Sequence, residues 1–214
     1  MSDPDVFALV ADNRRRIVTL LEGLDAGQWA APSLCAGWTV RDVAGHLVVP
    51  FQVSVPAMAL EILRSRGSID RAMDRMAKKT AREPTADLVG ALRDHADSRF
   101  TPPMLGPEAP LSDTSIHLSD MARPLGIDLT IPPTLWRVVL DFLASPTARR
   151  AFVPTGRIAG LAFATTDQDW SAGEGDEVRG TSEAVALALA GRPVVLDELE
   201  GPGVGVLRER LVAG

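Results

Sequence analysis

Apolar residues recur at helical spacing through about the first 150 positions, and this feature constrains the fold more than any other. Val6, Val10, Ile17, Leu20 and Leu24 mark one face of the first such stretch. Residues three, four or seven positions apart lie on one side of an α-helix, so each stretch predicts an amphipathic helix that packs against another. Segments rich in proline or glycine separate the stretches and predict turns. We therefore predict an antiparallel helical bundle.

The pattern changes after about residue 150. Short alternating segments and helical segments follow one another: a strand at 158–166, a returning strand at 177–180, a helix at 181–190, a strand or turn at 194–199 and a last helix at 204–211. About sixty residues are few for an independent folding unit, so this part should pack on the bundle. The sequence thus predicts a mainly α protein with a helical bundle at 1–150 and a small α+β domain at 151–214.

Composition and charge exclude several classes of protein. A net charge of -6 and a pI near 5.1 argue against a nucleic-acid binder, which usually has a basic face. One cysteine, Cys35, rules out an internal disulfide framework and fits a reducing compartment. The most apolar stretch, 47–60, is too short to span a bilayer and contains two prolines, and the polar start of the chain does not resemble a signal peptide. We predict a cytoplasmic protein that does not span a membrane.

Two of the three histidines and one aspartate form the candidate site. Asp113 and His117 are four residues apart, so on one helix their side chains lie one turn apart, where both can chelate one ion. His46 ends an apolar helical stretch that would have to face them. Three such ligands, with further positions left to water, are typical of a catalytic divalent metal site.

Simpler interpretations of the same residues stay open. Asp113 and His117 can form an ion pair on one helix, with His46 bonded to a backbone carbonyl. Asp120 lies three residues beyond His117. It can orient an imidazole, replace Asp113 as a ligand, or pair with Arg123 as surface aspartates commonly do.

The remaining polar candidates are assigned structural roles. Cys35 precedes a predicted helix start, but no base is near it in the sequence, which favours a small packing residue. His95 has charged neighbours and is predicted to lie at the surface. The basic runs at 13–16 and 76–82 are predicted to be solvated helix faces. The chain contains neither a phosphate-cradling glycine motif nor a Gly-x-Ser-x-Gly nucleophile elbow.

Three segments together resemble a known family. They are LCAGWTVRDVAGHL at 34–47, HLSDMARPLG at 117–126 and TDQDWSAGEGDEVRGTSEAVALALAGRP at 166–193. They are similar to the mycothiol-dependent maleylpyruvate isomerase family, a branch of the DinB-like four-helix bundles, in its actinobacterial type with a small C-terminal domain. By matching position, the resemblance implies a metal site of His46, Asp113 and His117. The family more usually has glutamate where Asp113 stands. The side chain of aspartate is shorter, which affects whether its carboxylate reaches the metal and which metal it suits.

The resemblance also implies thiol chemistry. A divalent metal, zinc with nickel or manganese as alternatives, would bind the low-molecular-weight thiol mycothiol as a cofactor and deprotonate it. The thiolate would add to an electrophilic small molecule, in an isomerase or in an S-transferase. Dicarboxylate recognition would need arginines, for which the sequence offers Arg123, Arg157 and Arg179. The alternative is a DinB-like module that binds a metal or ligand without catalysis. The sequence indicates neither the substrate nor the oligomeric state.

Overall fold

The computed structural model describes residues 5–103, 105–150 and 152–212. Within them the protein is mostly helical with one three-stranded sheet in its C-terminal part, which confirms the predicted mainly α fold class. In the described part of the chain, no helix has the length and apolar character needed to cross a membrane. The helices are α1 (Val6–Glu22), α2 (Ala26–Ala30), α3 (Val40–Gln52), α4 (Val55–Arg64), α5 (Ile69–Thr80), α6 (Thr85–Asp94), α7 (Glu108–Ala122), α8 (Pro133–Ala144), α9 (Thr155–Ile158), α10 (Ser182–Leu189) and α11 (Val204–Val212), and the strands are β1 (Leu161–Thr165), β2 (Ser171–Gly173) and β3 (Asp176–Gly180).

The chain groups into two compact units. One contains residues 1–100 and 117–129, and the other contains 101–116 and 130–214. Helix α7 continues without a break through residues 116 and 117, where the grouping changes. The predicted domains at 1–150 and 151–214 stay a prediction.

Helix α3 is the central element of the first unit, where it packs against α2, α5 and α6. Thr39 followed three residues later by Asp42 predicts a helix start, and a capping box confirms it. The hydroxyl of Thr39 accepts the backbone N–H of Asp42 at 3.2 Å, and the carboxylate of Asp42 accepts the N–H of Thr39 at 2.9 Å. The same helix buries its apolar face completely. The residues on that face include Val40, Val43, Ala44, Val48 and Val49, each 0% exposed.

The break between α3 and α4 does not fall at either of the two prolines in this part of the chain. Pro50 and Pro56 predict two helical pieces between residue 39 and about residue 66. The structure confirms two helices, but Pro50 lies inside α3 and the break comes at residues 53–54. Pro56 lies in the first turn of α4. Proline is tolerated there because the backbone N–H groups of a first turn make no hydrogen bond within the helix. Pro50 is only two residues from the end of α3, so it removes one hydrogen bond near a terminus instead of dividing the helix.

A glycine brings α3 and α5 into close contact. A Cβ atom at Gly45 would lie 2.6 Å from the carbonyl oxygen of Ala77 and 2.8 Å from the nitrogen of Ala81. Both neighbours are backbone atoms, which cannot rotate away as a side chain can. The absence of a side chain at position 45 therefore sets the distance between the two helices, and His46 is the next residue on α3.

The basic run at 13–16 is only partly a solvated face. Asn13 is 0% and Arg14 is 4% exposed, so the prediction of a solvated face is wrong for these two residues. The guanidinium of Arg14 donates to the carbonyl oxygens of Ala96 at 3.1 Å and Ser98 at 2.6 Å. These carbonyls follow the end of α6, where helical donors are no longer available, and a buried arginine supplies donors in their place.

The sheet in the second unit has the order β2-β1-β3. The predicted strand at 177–180 is confirmed as β3, but it is not the strand that returns: β2 runs antiparallel to β1, while β3 pairs parallel to it. Strand β2 consists of three small residues, Ser-Ala-Gly, which give no strand signal in the sequence. Gly175 has a φ of 125°, which favours glycine. Its backbone lies so close to that of Gly160 that a side chain at position 175 would overlap the carbonyl group of Gly160.

Helix α10 completes the second unit by packing against α8, β1 and β3. Thr181, before a stretch rich in alanine and leucine, predicts the N-terminal cap of this helix. The structure confirms it, since the hydroxyl of Thr181 accepts the N–H of Ala184 at 3.2 Å. The segment predicted as a strand or turn at 194–199 is a 3-10 helix, Pro193–Glu198.

Two glycine substitutions test the packing of α3 on α5. Gly45→Ala should lower the free energy of unfolding by about 1–3 kcal/mol, because the new methyl group overlaps backbone atoms of α5. Gly90→Ala in α6 is the matched control, since nothing lies within 4 Å of its added Cβ. In that control the free energy of unfolding should rise by about 0.5–1 kcal/mol, because alanine has a higher helix propensity than glycine. Urea unfolding followed by circular dichroism measures both, and equal effects would contradict the close contact.

Candidate metal centre

Two histidines from different helices of the first unit lie side by side. His46 on α3 and His117 on α7 have ring centroids 4.8 Å apart, with the rings edge to face at 70°. His117 is 8% exposed, so its imidazole is largely shielded from water. The two predicted helix faces therefore do bring their histidines together.

Asp113 lies one helical turn before His117 on α7. His46, Asp113 and His117 each offer one ligand atom, and these atoms all lie within 4.8 Å of one another. Bond lengths of about 2.0–2.2 Å place the nitrogen and oxygen ligands of a tetrahedral zinc site about 3.3–3.6 Å apart. Small side-chain rotations would bring the three donors into that range. Two imidazoles and a carboxylate form a chemically suitable donor set for zinc, nickel or manganese, and their role as metal ligands stays a prediction.

Asp120 orients one of the two histidines. Its side chain is 0% exposed, and its Oδ2 lies 2.9 Å from Nδ1 of His117. An ionised carboxylate only accepts hydrogen bonds, so Nδ1 carries the proton and the lone pair of the neutral imidazole lies on Nε2. Of the roles that the sequence left open for Asp120, the geometry matches the carboxylate-histidine pair commonly found behind a metal ligand.

Cys35 also reaches this group of side chains. Its thiol donates to Oδ2 of Asp120 at 3.1 Å, and its sulfur lies 3.7 Å from Nδ1 of His117. The expectation that no base is near Cys35 is therefore wrong. The three residues are separated by 82 and 85 positions along the chain, so no local pattern could have revealed the contact.

The loop that carries Cys35 is held at both of its ends. Pro32 and Thr39 pair as an isolated β-bridge, and the N–H of Ser33 donates to the carbonyl of Trp38 at 2.9 Å. The N–H of Leu34 donates to the backbone carbonyl of Asp120 at 3.1 Å, which joins the loop directly to α7. The predicted ordered loop is thus fixed by main-chain hydrogen bonds.

Trp38 forms one wall of the site. Its ring centroid lies 5.4 Å from that of His46 and 6.4 Å from that of His117, nearly parallel to the latter at 21°. Its indole N–H donates to the carboxylate of Asp74 at 2.8 Å, and the ammonium of Lys78 lies 2.6 Å from the same carboxylate. Burial raises the pKa of Asp74, but the hydrogen bonds from Lys78 and Trp38 outweigh it, so the pKa lies below its ordinary value.

A cation-rich cleft adjoins Asp74. Its volume is about 830 Å³, and it lies among the end of α3, α4 and α5. Lys79 and Arg82 form no ion pair with any residue that the structure describes, although the protein as a whole has a net charge of -6. The charged residues that line the cleft are Glu61, Arg64, Asp74, Arg75, Lys78, Lys79, Arg82 and Glu83. The sequence offers Arg123, Arg157 and Arg179 for an anionic substrate, and none of these three lines the cleft.

Comparison with known proteins assigns the family. The family model for the mycothiol maleylpyruvate isomerase N-terminal domain matches residues 10–122, more than half of the chain. The chain belongs to this family. The match includes Cys35, His46, Asp113, His117 and Asp120, and it confirms the resemblance drawn from the sequence motifs.

Solved structures agree with this maleylpyruvate isomerase assignment at the level of the fold. The crystal structure of the mycothiol-dependent maleylpyruvate isomerase in a histidine-to-alanine variant has a TM-score of 0.58 and 16% identity, covering 92% of each chain. A second crystal structure of the mycothiol-dependent maleylpyruvate isomerase has a TM-score of 0.51 and 17% identity, again covering 92% of each chain. No curated protein matches the chain.

Substitutions of Asp74 test the support of Trp38. Asp74→Ala removes the acceptor of the indole N–H and should lower the free energy of unfolding by about 0.5–1.5 kcal/mol. Asp74→Asn keeps an acceptor but loses the charge. Its effect should be smaller, because the ion pair with Lys78 joins side chains that are 40% and 43% exposed. Equal effects of the two variants in urea unfolding at pH 7 would show that the indole hydrogen bond contributes nothing.

The same carboxylate sets a direction for pH dependence. Its pKa is lower in the folded protein than in the unfolded chain, so its contribution is complete above the unfolded pKa and is lost as pH falls through the folded one. The stability difference between wild type and Asp74→Asn should therefore shrink between about pH 5 and pH 2. A difference that grows on acidification would contradict the lowered pKa.

Proposed function

We propose that this member of the maleylpyruvate isomerase family binds a divalent metal through His46, Asp113 and His117 and uses it to activate mycothiol. The observation that carries the proposal is the convergence of the three donors within 4.8 Å, with His117 held by the buried carboxylate of Asp120. Zinc is the metal we propose, with nickel or manganese as alternatives, since all accept imidazole and carboxylate ligands.

The metal would supply a single chemical advantage: it makes the bound thiol a thiolate at neutral pH, where the unbound thiol is mostly protonated. The protein's own residues do the rest. Asp120 keeps the proton on Nδ1 of His117, so that Nε2 presents its lone pair. Trp38 covers the two imidazoles and limits the access of water to them.

The solved relatives are named as mycothiol-dependent maleylpyruvate isomerases, and we propose the same class of chemistry here. A thiol activated in this way would supply reversible addition to a cis double bond: the sulfur-carbon bond would form as the double bond becomes single, and its cleavage after rotation would return the thiol and the trans product. Retention of the sulfur-carbon bond would instead make the protein an S-transferase.

The cation-rich cleft supports an anionic electrophile as the substrate. Lys79 and Arg82 offer positive charge that no described carboxylate neutralises. The cleft is coupled to the proposed metal site through Asp74, which lines it and holds Trp38. Carboxylate groups are the natural ligands for such cations.

Metal content tests the ligand assignment. Protein purified without added metal should contain close to one equivalent of zinc, nickel or manganese, and His46→Ala and His117→Ala should each lose it. His95→Ala is the matched control: His95 is exposed, stacks on Phe51 and should leave the metal content unchanged. Asp120→Asn should weaken binding by about 10–100-fold, because it disturbs a metal-ligating histidine. Absence of metal from the wild type, measured by elemental analysis, would refute the site.

Mycothiol consumption with maleylpyruvate or another electrophile tests the chemistry. The metal-loaded wild type should be active and His46→Ala should not. Loss of metal without loss of activity would exclude metal-assisted catalysis. A wild type that binds metal but shows no thiol chemistry with any electrophile would favour the alternative of a non-catalytic metal-binding module.

A further inference from the structure

A second group of three possible ligands lies behind His117, and all of it belongs to the first unit. Cys35, His117 and Asp120 each offer one ligand atom, and these atoms lie within 4.8 Å of one another. Asp120 is 0% and His117 is 8% exposed, while Cys35 is only partly buried. This group uses a thiol, which the His46, Asp113 and His117 set lacks.

The distances within the group are close to those of a metal site. Zinc bonds of about 2.0–2.3 Å place sulfur, nitrogen and oxygen ligands about 3.4–3.6 Å apart in a tetrahedron. The sulfur of Cys35 and Nδ1 of His117 are already 3.7 Å apart. The two distances to Oδ2 of Asp120, 3.1 Å and 2.9 Å, are hydrogen bonds and would each need to lengthen by about half an ångström.

The protons that now join these residues are the ones that a metal would replace. The thiol proton would leave for the solvent, and the proton on Nδ1 of His117 would move to Nε2. The metal would then receive a thiolate, a ring nitrogen and a carboxylate, which together favour a soft or borderline ion. One proton is released for each metal bound.

His117 belongs to both groups, and its chemistry makes them exclusive. A neutral imidazole has a single lone pair, on Nε2 when Nδ1 is protonated and on Nδ1 when Nε2 is protonated. Binding through Nδ1 therefore removes the donor that the other set would use. The two sites cannot both be filled through a neutral His117.

From this geometry we propose that Cys35, His117 and Asp120 form a second, thiolate-containing site for a soft divalent metal, which excludes metal from the His46, Asp113 and His117 set. The second site itself depends on no residue of α3, and only the exclusion of metal from the first set rests on the proposed function. Cadmium alone is a suitable probe because it prefers thiolate ligands.

Ultraviolet difference spectra during cadmium titration test the proposal. Cys35 is the only cysteine, so any thiolate-to-cadmium charge-transfer band reports on this residue. The wild type should develop the band up to about one equivalent of cadmium, with about one proton released per ion into a weakly buffered solution. Cys35→Ser should show no band, and His117→Ala and Asp120→Ala should weaken cadmium binding by tenfold or more. Circular dichroism verifies that each variant is folded.

His46→Ala distinguishes the second site from the first. Because His46 is absent from the second group, this variant should keep the band with an affinity within about threefold of the wild type, even if it loses zinc. Loss of the band in His46→Ala would overturn the proposal by making Cys35 an additional ligand of the first site. No band in the folded wild type, or retention of a full equivalent of zinc beside cadmium, would overturn it as well. A wild type that binds no zinc but shows the cadmium band would refute the proposed function and leave the second site supported.

Discussion

The buried carboxylate of Asp120 is the group on which the arrangement of the site depends. With 0% exposure it has no contact with bulk water, and such a group is tolerated only where protein donors surround it. Its Oδ2 accepts from Cys35 and lies within hydrogen-bonding distance of Nδ1 of His117. Satisfying one buried charge thus orients a thiol from a loop and an imidazole on its own helix. The requirement comes from burial, and it holds whether or not a metal is bound.

The packing of α3 places the other half of the site by different means. Gly45 lets the backbone of α3 approach that of α5, and His46 follows directly after this contact. The backbone position of His46 is therefore set by the contact of two main chains, which adjust less readily than side chains. On α7, by contrast, the positions of the functional groups depend on hydrogen bonds. The candidate centre combines a histidine on a closely packed backbone with one whose ring is held by a carboxylate.

The sequence reveals the features of this protein that depend on nearby residues. Helical spacing gives the mainly α class, Thr39 with Asp42 gives the start of α3, and the four-residue interval places Asp113 near His117 because each follows from one turn of a helix. Strand β3 was placed in the wrong direction, because a three-residue strand of small side chains carries no pattern.

Contacts between distant residues were beyond such reasoning. Cys35 and its partner Asp120 on α7 are 85 positions apart in the sequence, and Trp38 and Asp74 are 36 positions apart. Only the packed fold brings these residues together. Helical spacing suggested that His46 and His117 could face each other, and the resemblance of their motifs to those of a known family made that pairing specific. The burial of Arg14 could not be predicted either. The sequence does not show that the carbonyl oxygens of Ala96 and Ser98 need a donor that Arg14 can supply.

The loop at 31–38 has a consequence for how the site opens. It carries Cys35 and Trp38, and the N–H of Leu34 is bonded to the main chain of α7 itself. Movement of this loop would displace the indole of Trp38 from its place beside the two imidazoles. Breaking the few main-chain hydrogen bonds of the loop costs far less than separating packed helices, so the site should open by local unfolding of a short segment. Access would then follow the opening rate of that loop, and the amide protons of Ser33 and Leu34 should exchange with solvent well before those of the buried face of α3.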